Sequence, residues 1–306
     1  MAAVERYTLR EIDTLIKDGK KYRLFKPFFY NGQILFNVEK VLNEKDILRL
    51  EGKIYGPIEV VPAVEHTTDD KIRNAVIENC IKILKKSSLF HIDDVRHLEF
   101  VMRKECEKLF TGILSNSPHV AQKVLEIFQF SKKLFLHSVN VAIISTVIDL
   151  GMQNKKKMHN ALRSEELLVA ALLHDVGFLN LPVSLVEKRR VEYTEEEKKL
   201  YLTYPEESKK IAATLGDNIR SKTIDVIYQH QERLTGQGFP QHLKGSKIED
   251  MALVIGLADE FDLLISKETA EHQRTISEAM SRFSRYGQII GNDIVDSFYT
   301  WFRYLK

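Results

Sequence analysis

Histidine and aspartate stand in this sequence at positions where helical periodicity calls for an apolar side chain. In KKLFLHSVNVAIISTVI, Leu134, His137, Val141, Ile144 and Ile148 follow one helical face, so His137 falls on the stripe that must be buried. In SEELLVAALLHDVGFLNLP the apolar stripe through Leu168 and Ala171 runs straight into His174 and Asp175 before Gly177 ends the helix. The apolar helix in EDMALVIGLADEFDLLI is interrupted by Asp259 and Asp262, one turn apart on a single face. A lone buried histidine needs only a hydrogen-bond partner. A carboxylate beside an imidazole in apolar surroundings is costly unless each is paired or holds a cation. Mixed His and Asp is the donor set of a nitrogen- and oxygen-ligated metal site.

A further stretch, HQERLTGQGFP, sets His230, Glu232 and Arg233 directly before a loop closed by Gly236, Gly238 and Pro240. Glycine and proline at that density mark a fixed loop at an element's end, facing a concavity. The candidates form two groups. His137, His174, Asp175 and Asp259 make the ligand set of a first ion. Asp175 can share its second oxygen with a second ion, which His230 would serve, and Glu232 is an acid that is not a ligand. Paired ions are the usual apparatus for hydrolysing phosphate esters, because they activate a water and stabilise both the attacking and leaving oxygens. Imidazole with carboxylate suits Fe, Mn or Zn.

The elements that must position these residues are helical from Thr67 onward: DDKIRNAVIENCIKIL, DDVRHLEFVMRKECEKLFTGIL, then a long run from Val120 to Met152. The first 62 residues are mixed. KYRLFKPFFY and GQILFNVEKVL, with Asn31-Gly32 between them, predict a hairpin. NEKDILRLEG predicts a short helix capped by Asn43 and stopped by Gly52, followed by a strand in IYGPIEVVP. The fold class is therefore mainly α, with a small α/β N-terminal module. The polar break at Ser115 to Pro118 places the boundary between a regulatory or sensory module, 1–118, and a metal-binding helical domain, 119–306.

The order H, HD, H-x-E-R, D over residues 120 to 270 resembles the HD-GYP family of the HD phosphohydrolases. The likeness extends to the spacer LPVSLVEKRRVEYTEEEKKLYLTYPEESKKI, the HxERxxGxGxP loop and the LADEFDLL helix. It implies an all-helical domain that hydrolyses cyclic di-GMP at a two- or three-metal site, behind a variable N-terminal sensory module. It assigns His137, His174, Asp175, His230 and Asp259 as metal ligands, with Asp175 and Glu232 in the catalytic set. Arg233, Gly236, Gly238 and Phe239 fall on the substrate-binding signature loop. Several positions depart from the family pattern. Lys133 stands where three-metal members carry glutamate, which implies two divalent ions at most, iron before Mn or Zn. Tyr204, before Pro205, and Gln231 replace two histidines of the second ion, and both are carried as substitute ligands, a tyrosine oxygen being a known iron ligand. Phe178 replaces a lysine, Phe239 the namesake tyrosine, and Glu268 stands near an expected arginine. A carboxylate in place of a guanidinium repels phosphate. The resemblance thus implies a diverged signalling phosphodiesterase of weak activity on a cyclic dinucleotide or another phosphoester. The alternative is a catalytically silent metal-binding protein that acts through a protein partner.

Composition bounds the rest. A net charge of +2 over 306 residues gives no broad basic face for nucleic acid. The start MAAVERYTLR has no apolar core for a signal peptide, and apolar runs such as LLVAALL are too short to span a membrane. The expectation is a cytoplasmic chain with no membrane partner. Cys80 and Cys106 have neither disulfide-framework nor metal spacing and are expected to be buried reduced thiols.

Overall fold

The change from strand-type to helical patterning near Thr67 is mirrored in the computed structural model, where the chain divides into two units, Met1–Lys71 and Ile72–Lys306. The structure describes residues 5–20, 22–24, 28–30, 33–36, 42–62, 67–86, 96–265 and 274–302.

The first unit runs β1 (Glu5–Tyr7), α1 (Leu9–Lys17), β2 (Tyr22–Leu24), β3 (Phe28–Tyr30), β4 (Gln33–Phe36), α2 (Glu44–Leu50) and β5 (Ile58–Pro62). β5 is the middle strand of an antiparallel sheet ordered β1-β5-β2, and β3 pairs with β4 from Phe28↔Phe36 to Tyr30↔Gln33. The expected turn at Asn31-Gly32 lies between those strands but outside the described residues. Both helices start on reciprocal caps: Thr8 with Glu11 for α1, Asn43 with Asp46 for α2. Ile12, Tyr22, Leu24, Ile47, Leu50 and Val60 form this unit's own core.

The second unit begins within α3 (Thr67–Lys86) and continues with α4 (Arg96–Asn116), α5 (Pro118–Phe130), α6 (Lys132–Lys155) and α7 (Ala161–Leu173). After a 3-10 turn, Val176–Asn180, come α8 (Ser184–Glu187), a second 3-10 turn, Arg190–Glu192, then α9 (Glu195–Tyr201), α10 (Tyr204–Ala213) and α11 (Ser221–Gln229). The chain closes with α12 (Asp250–Ile265), α13 (Ile276–Phe283), α14 (Gly287–Ile290) and α15 (Asn292–Phe302). The break at Ser115 to Pro118 is the junction between α4 and α5: Pro118 opens α5 at a position where its missing N–H costs nothing. Cys80 and Leu84 of α3 and Phe110 and Leu114 of α4 join the same core as α5 to α12. Cys80 and Cys106 are free and fully buried, and burial pushes both thiols up to about 12.

The long helical run from Val120 is broken at Ser131, whose extended backbone ends α5 and starts α6. Its hydroxyl accepts from the Leu134 N–H at 3.2 Å and donates to Glu187 at 2.8 Å. α6 is the central helix, packed by α5, α7, α12 and α15. Such a helix is buried all round rather than along one stripe, which is why its sequence is apolar on every face. It is also the one helix among the described residues long and apolar enough to cross a membrane, and 78% of its most apolar window is buried in the protein.

Candidate metal centre

Two helices and two helix ends bring the ionisable residues to one place. His137 lies in the second turn of α6, Asp259 and Asp262 face it from α12, His174 and Asp175 follow the last turn of α7, and His230 follows the last turn of α11. All are buried, His174 and His230 completely. Each histidine has its Nδ1 held on an oxygen: His137 on Asp262 Oδ2 at 2.7 Å, His174 on the Ala171 carbonyl at 2.8 Å, His230 on the Ile227 carbonyl at 2.6 Å. For His174 and His230 that carbonyl is one of the helix's own unsatisfied C-terminal oxygens, so the imidazole caps the helix while its ring is fixed. With Nδ1 held on an oxygen, Nε2 of all three rings turns toward the centre.

The carboxylates complete the convergence. His137 Nε2 lies 3.1 Å from Asp259 Oδ1 and 3.5 Å from Asp175 Oδ2, and His174 Nε2 lies 3.4 Å from Asp175 Oδ2. The other oxygen of Asp175 faces His230 Nε2 at 3.7 Å. Two overlapping donor groups result, His137-His174-Asp259 and His174-Asp175-His230, the atoms of each lying within 4.8 Å of one another. His174 belongs to both, and Asp175 presents one oxygen to each side.

Four of these atoms, His137 Nε2, His174 Nε2, Asp175 Oδ1 and Asp259 Oδ1, are buried without a hydrogen-bond partner. Unpaired buried polar atoms cost about 1–3 kcal/mol each, so four aimed at one point describe a place built for a cation. The residues present fit a metal ion. Local electrostatics agree. Burial opposes charge on His137, but the adjoining Asp259 and Asp262 carboxylates prevail and raise its pKa to about 10, so a metal ion would bind its Nε2 by displacing a proton. Burial also works against the Asp259 carboxylate, yet the hydrogen bond and charge of His137 hold it well below the usual carboxylate range. His230, desolvated and beside His174, is lowered to about 4 and stays neutral, as a ligand must.

The family described as HD domain matches residues 118–291. The chain belongs to the HD domain family. Three curated proteins are similar to it. Cyclic di-GMP phosphodiesterase PdeB of Borreliella burgdorferi is 34% identical over 132 residues, 42% of this chain and 32% of its own length. Cyclic di-GMP phosphodiesterase of Thermotoga maritima is 26% identical over 134 residues, 44% of this chain and 36% of its own. The 3'3'-cGAMP-specific phosphodiesterase 1 of Vibrio cholerae is 26% identical over 250 residues, 73% of this chain and 55% of its own. The HD domain thus spans about a third to a half of the length of the relatives it matches.

The remaining HD-domain site residues named from sequence divide into three sets. Tyr204 and Gln231 touch the cluster: the Tyr204 hydroxyl is 2.7 Å from His230 Nε2, and the Gln231 amide donates to Asp259 Oδ2 at 2.6 Å. Since His230 donates through Nδ1, the phenol is the donor in that contact. Glu232 and Arg233 do not join the cluster. Both Glu232 oxygens accept backbone N–H groups of the loop, from Gln241 at 2.6 Å and Leu243 at 2.9 Å. Arg233 donates to the His230 carbonyl at 3.1 Å and to Glu260 at 2.7 Å. These two brace the signature loop. Gly238 is a packing requirement, since a Cβ there would lie 2.4 Å from the Gln231 carbonyl, and Gly236 takes a left-handed turn at φ 80°. Phe239 packs edge-on to Tyr204, ring centres 6.3 Å apart. Glu268 lies outside the described residues.

A cleft opens over the cluster, with His137 and Asp175 in its floor and Phe178, Tyr193 and Tyr201 in its wall. Phe178 stacks on Tyr204 at 4.6 Å, so the aromatic side chain that replaces the family lysine closes the cleft beside His230. This close approach needs Gly177, whose Cβ would lie 2.1 Å from the Tyr204 carbonyl and whose N–H donates to Ser208 Oγ at 2.8 Å. Three contributors were missed in the sequence reading. Asp262 was seen as buried but not as the partner of His137; its spacing one turn from Asp259 was the signal. Asn140, one turn after His137, donates to Asp262 Oδ1 at 2.8 Å. Arg190, in the basic run EKRRVEY, lines the cleft.

Proposed function

We propose that this HD domain is a metal-dependent phosphodiesterase acting on a cyclic dinucleotide, in a cytoplasmic signalling role with residues 1–71 as the regulatory input. The observation that carries the reading is the convergence of four buried atoms without hydrogen-bond partners, two imidazole nitrogens and two carboxylate oxygens, beneath an open cleft. His137, His174, Asp175 and Asp259 would hold one divalent ion, and Asp175, through its other oxygen, with His230 a second, iron before Mn or Zn. Ions bound there would supply an activated water and polarise the phosphoryl oxygens. The chain's own residues fix the donors: Asp262, with Asn140 behind it, orients His137, and the helix-end carbonyls orient His174 and His230. Glu232 and Arg233 hold the loop that seats His230 and Gln231. The names of the relatives support cyclic di-GMP or 3'3'-cGAMP as the substrate class.

A second reading, a silent metal-binding protein that works through a protein partner, is favoured by one observation: Tyr204 occupies His230 Nε2 and Gln231 occupies Asp259 Oδ2. The deciding experiment incubates purified full chain, loaded with Fe or Mn and checked by elemental analysis, with cyclic di-GMP and 3'3'-cGAMP, and separates products by chromatography. Appearance of a linear dinucleotide or mononucleotide supports the first reading. Metal bound with no product from either substrate supports the second.

A further inference from the structure

Asp259 stands on α12, on the side of the first ion, and His230 follows α11, on the side of the second. A side chain outside the donor set ties these two halves together. Arg233 Nη1 donates to the His230 carbonyl at 3.1 Å and to the Glu232 carbonyl at 2.9 Å, while its Nη2 donates to Glu260 Oε1 at 2.7 Å. Glu260 is the residue after Asp259, so one guanidinium reaches from the backbone of one donor to the neighbour of the other. The pair is shielded from water, with the Arg233 side chain 10% exposed and that of Glu260 27%. α12 is shaped to receive it. Gly256, one turn before Glu260 on the same face, meets the contact directly: a Cβ there would lie 2.5 Å from the His230 carbonyl and 2.9 Å from Arg233 Nη1. The planar fork holds carbonyls on one nitrogen and a carboxylate on the other in a fixed arrangement, which the flexible ammonium of a lysine does not.

We infer that Arg233 is a positioning strut of the metal centre: by fixing His230 against Glu260 it sets where the second ion sits relative to the first, without touching either ion. The ring of His230 is already oriented by its Nδ1 on the Ile227 carbonyl at 2.6 Å. Arg233 places the backbone that carries that ring, so the two contacts control direction and position separately. The inference rests on the two-ion reading above, and it moves a loop residue expected at the substrate to the support of the metal site.

The test uses the full chain, stripped with EDTA and titrated with Mn against a chromophoric chelator, with thermal unfolding in EDTA recorded for every variant. Wild type is expected to show two classes of site, and His230→Ala to lose one of them. Arg233→Leu is expected to weaken that same class by about 10–100-fold and to leave the other within about threefold. Glu260→Ala cuts the strut at its far end and leaves the loop sequence intact; it is expected to weaken the same class, and Glu260→Gln, which keeps an acceptor for Nη2, to recover most of the loss. Adding Arg233→Leu to His230→Ala is expected to leave the remaining ion unaffected, because a strut that acts through His230 has nothing left to act on. Equal weakening of both classes by Arg233→Leu, in step with a lower unfolding temperature in EDTA, would reduce Arg233 to general structural support and overturn the inference. So would unchanged affinity of both classes. If Arg233→Leu does not fold, the Glu260 variants decide: no loss in Glu260→Ala, or no recovery in Glu260→Gln, overturns the strut. A single class of site in wild type would remove the two-ion reading and the strut with it, an outcome distinct from two classes of which neither responds.

Discussion

Asp262 is the most informative residue to change, because it lies next to the proposed donors without being one. Its Oδ2 receives the His137 Nδ1–H at 2.7 Å and its Oδ1 the Asn140 amide at 2.8 Å, in a site only 2% exposed. Asp262→Ala would strand two buried donors at about 1–3 kcal/mol each and would measure folding more than metal binding. Asp262→Asn keeps the shape and, with a flip of the Asn140 amide, keeps both hydrogen bonds, but removes the negative charge that makes His137 a stronger donor to a cation. Loss of such an outer partner typically costs about 10–100-fold in metal affinity, or about 1.4–2.7 kcal/mol. The assay is competition of Mn or Zn against a chromophoric chelator, with thermal unfolding recorded with and without EDTA. The expected result is weaker metal binding, with nearly unchanged unfolding in EDTA. An Asp262→Asn protein that binds metal within threefold of wild type would refute the reasoning that the α12 carboxylate tunes His137.

Other expected outcomes follow from single contacts. Glu232→Gln leaves one of the two loop amides, from Gln241 or Leu243, without a charged acceptor, so stability in urea should fall by about 1–3 kcal/mol at unchanged metal content. Unchanged stability with abolished turnover would return Glu232 to a catalytic role. Tyr204→Phe removes the phenol from His230 Nε2, and elemental analysis should then show occupancy on the His230 side rising; a fall would show that the tyrosine oxygen is itself a ligand. Gly177→Ala forces a Cβ against the Tyr204 carbonyl and should cost about 1–3 kcal/mol of stability, read by thermal unfolding, as α10 is pushed away.

Much of the site was legible because metal donors contradict their surroundings. His137 on an apolar stripe and Asp259 within an apolar helix are visible as breaks in a period, and His174-Asp175 and His230 as polar residues where a helix must end. What residue type could not show is direction. Glu232 has the chemistry of an acid catalyst, but its two oxygens are taken by amides nine and eleven positions later, a closure set by the path of the loop. In EKRRVEY all three cations look like solvated charge; that Arg190 lies over an aromatic ring depends on Tyr201, which arrives from the next helix. The polar break at Ser115 to Pro118 signals the end of a helix, and the end of a helix carries the same composition as the end of a domain. Only packing of Phe110 and Leu114 against the later helices tells the two apart.

The cleft draws its floor and its wall from different parts of the chain. The floor belongs to α6 and the end of α7, deep in the shared core, whereas Arg190, Tyr193 and Tyr201 come from one short stretch whose neighbours Val183, Val191 and Leu202 are exposed. Arg190 lies over Tyr201 and Tyr201 packs on Tyr193, so substitutions among them should couple rather than add. The stretch is therefore a natural target for a combinatorial library, in which a guest of different size or charge can be selected while the groups that cleave it stay in place.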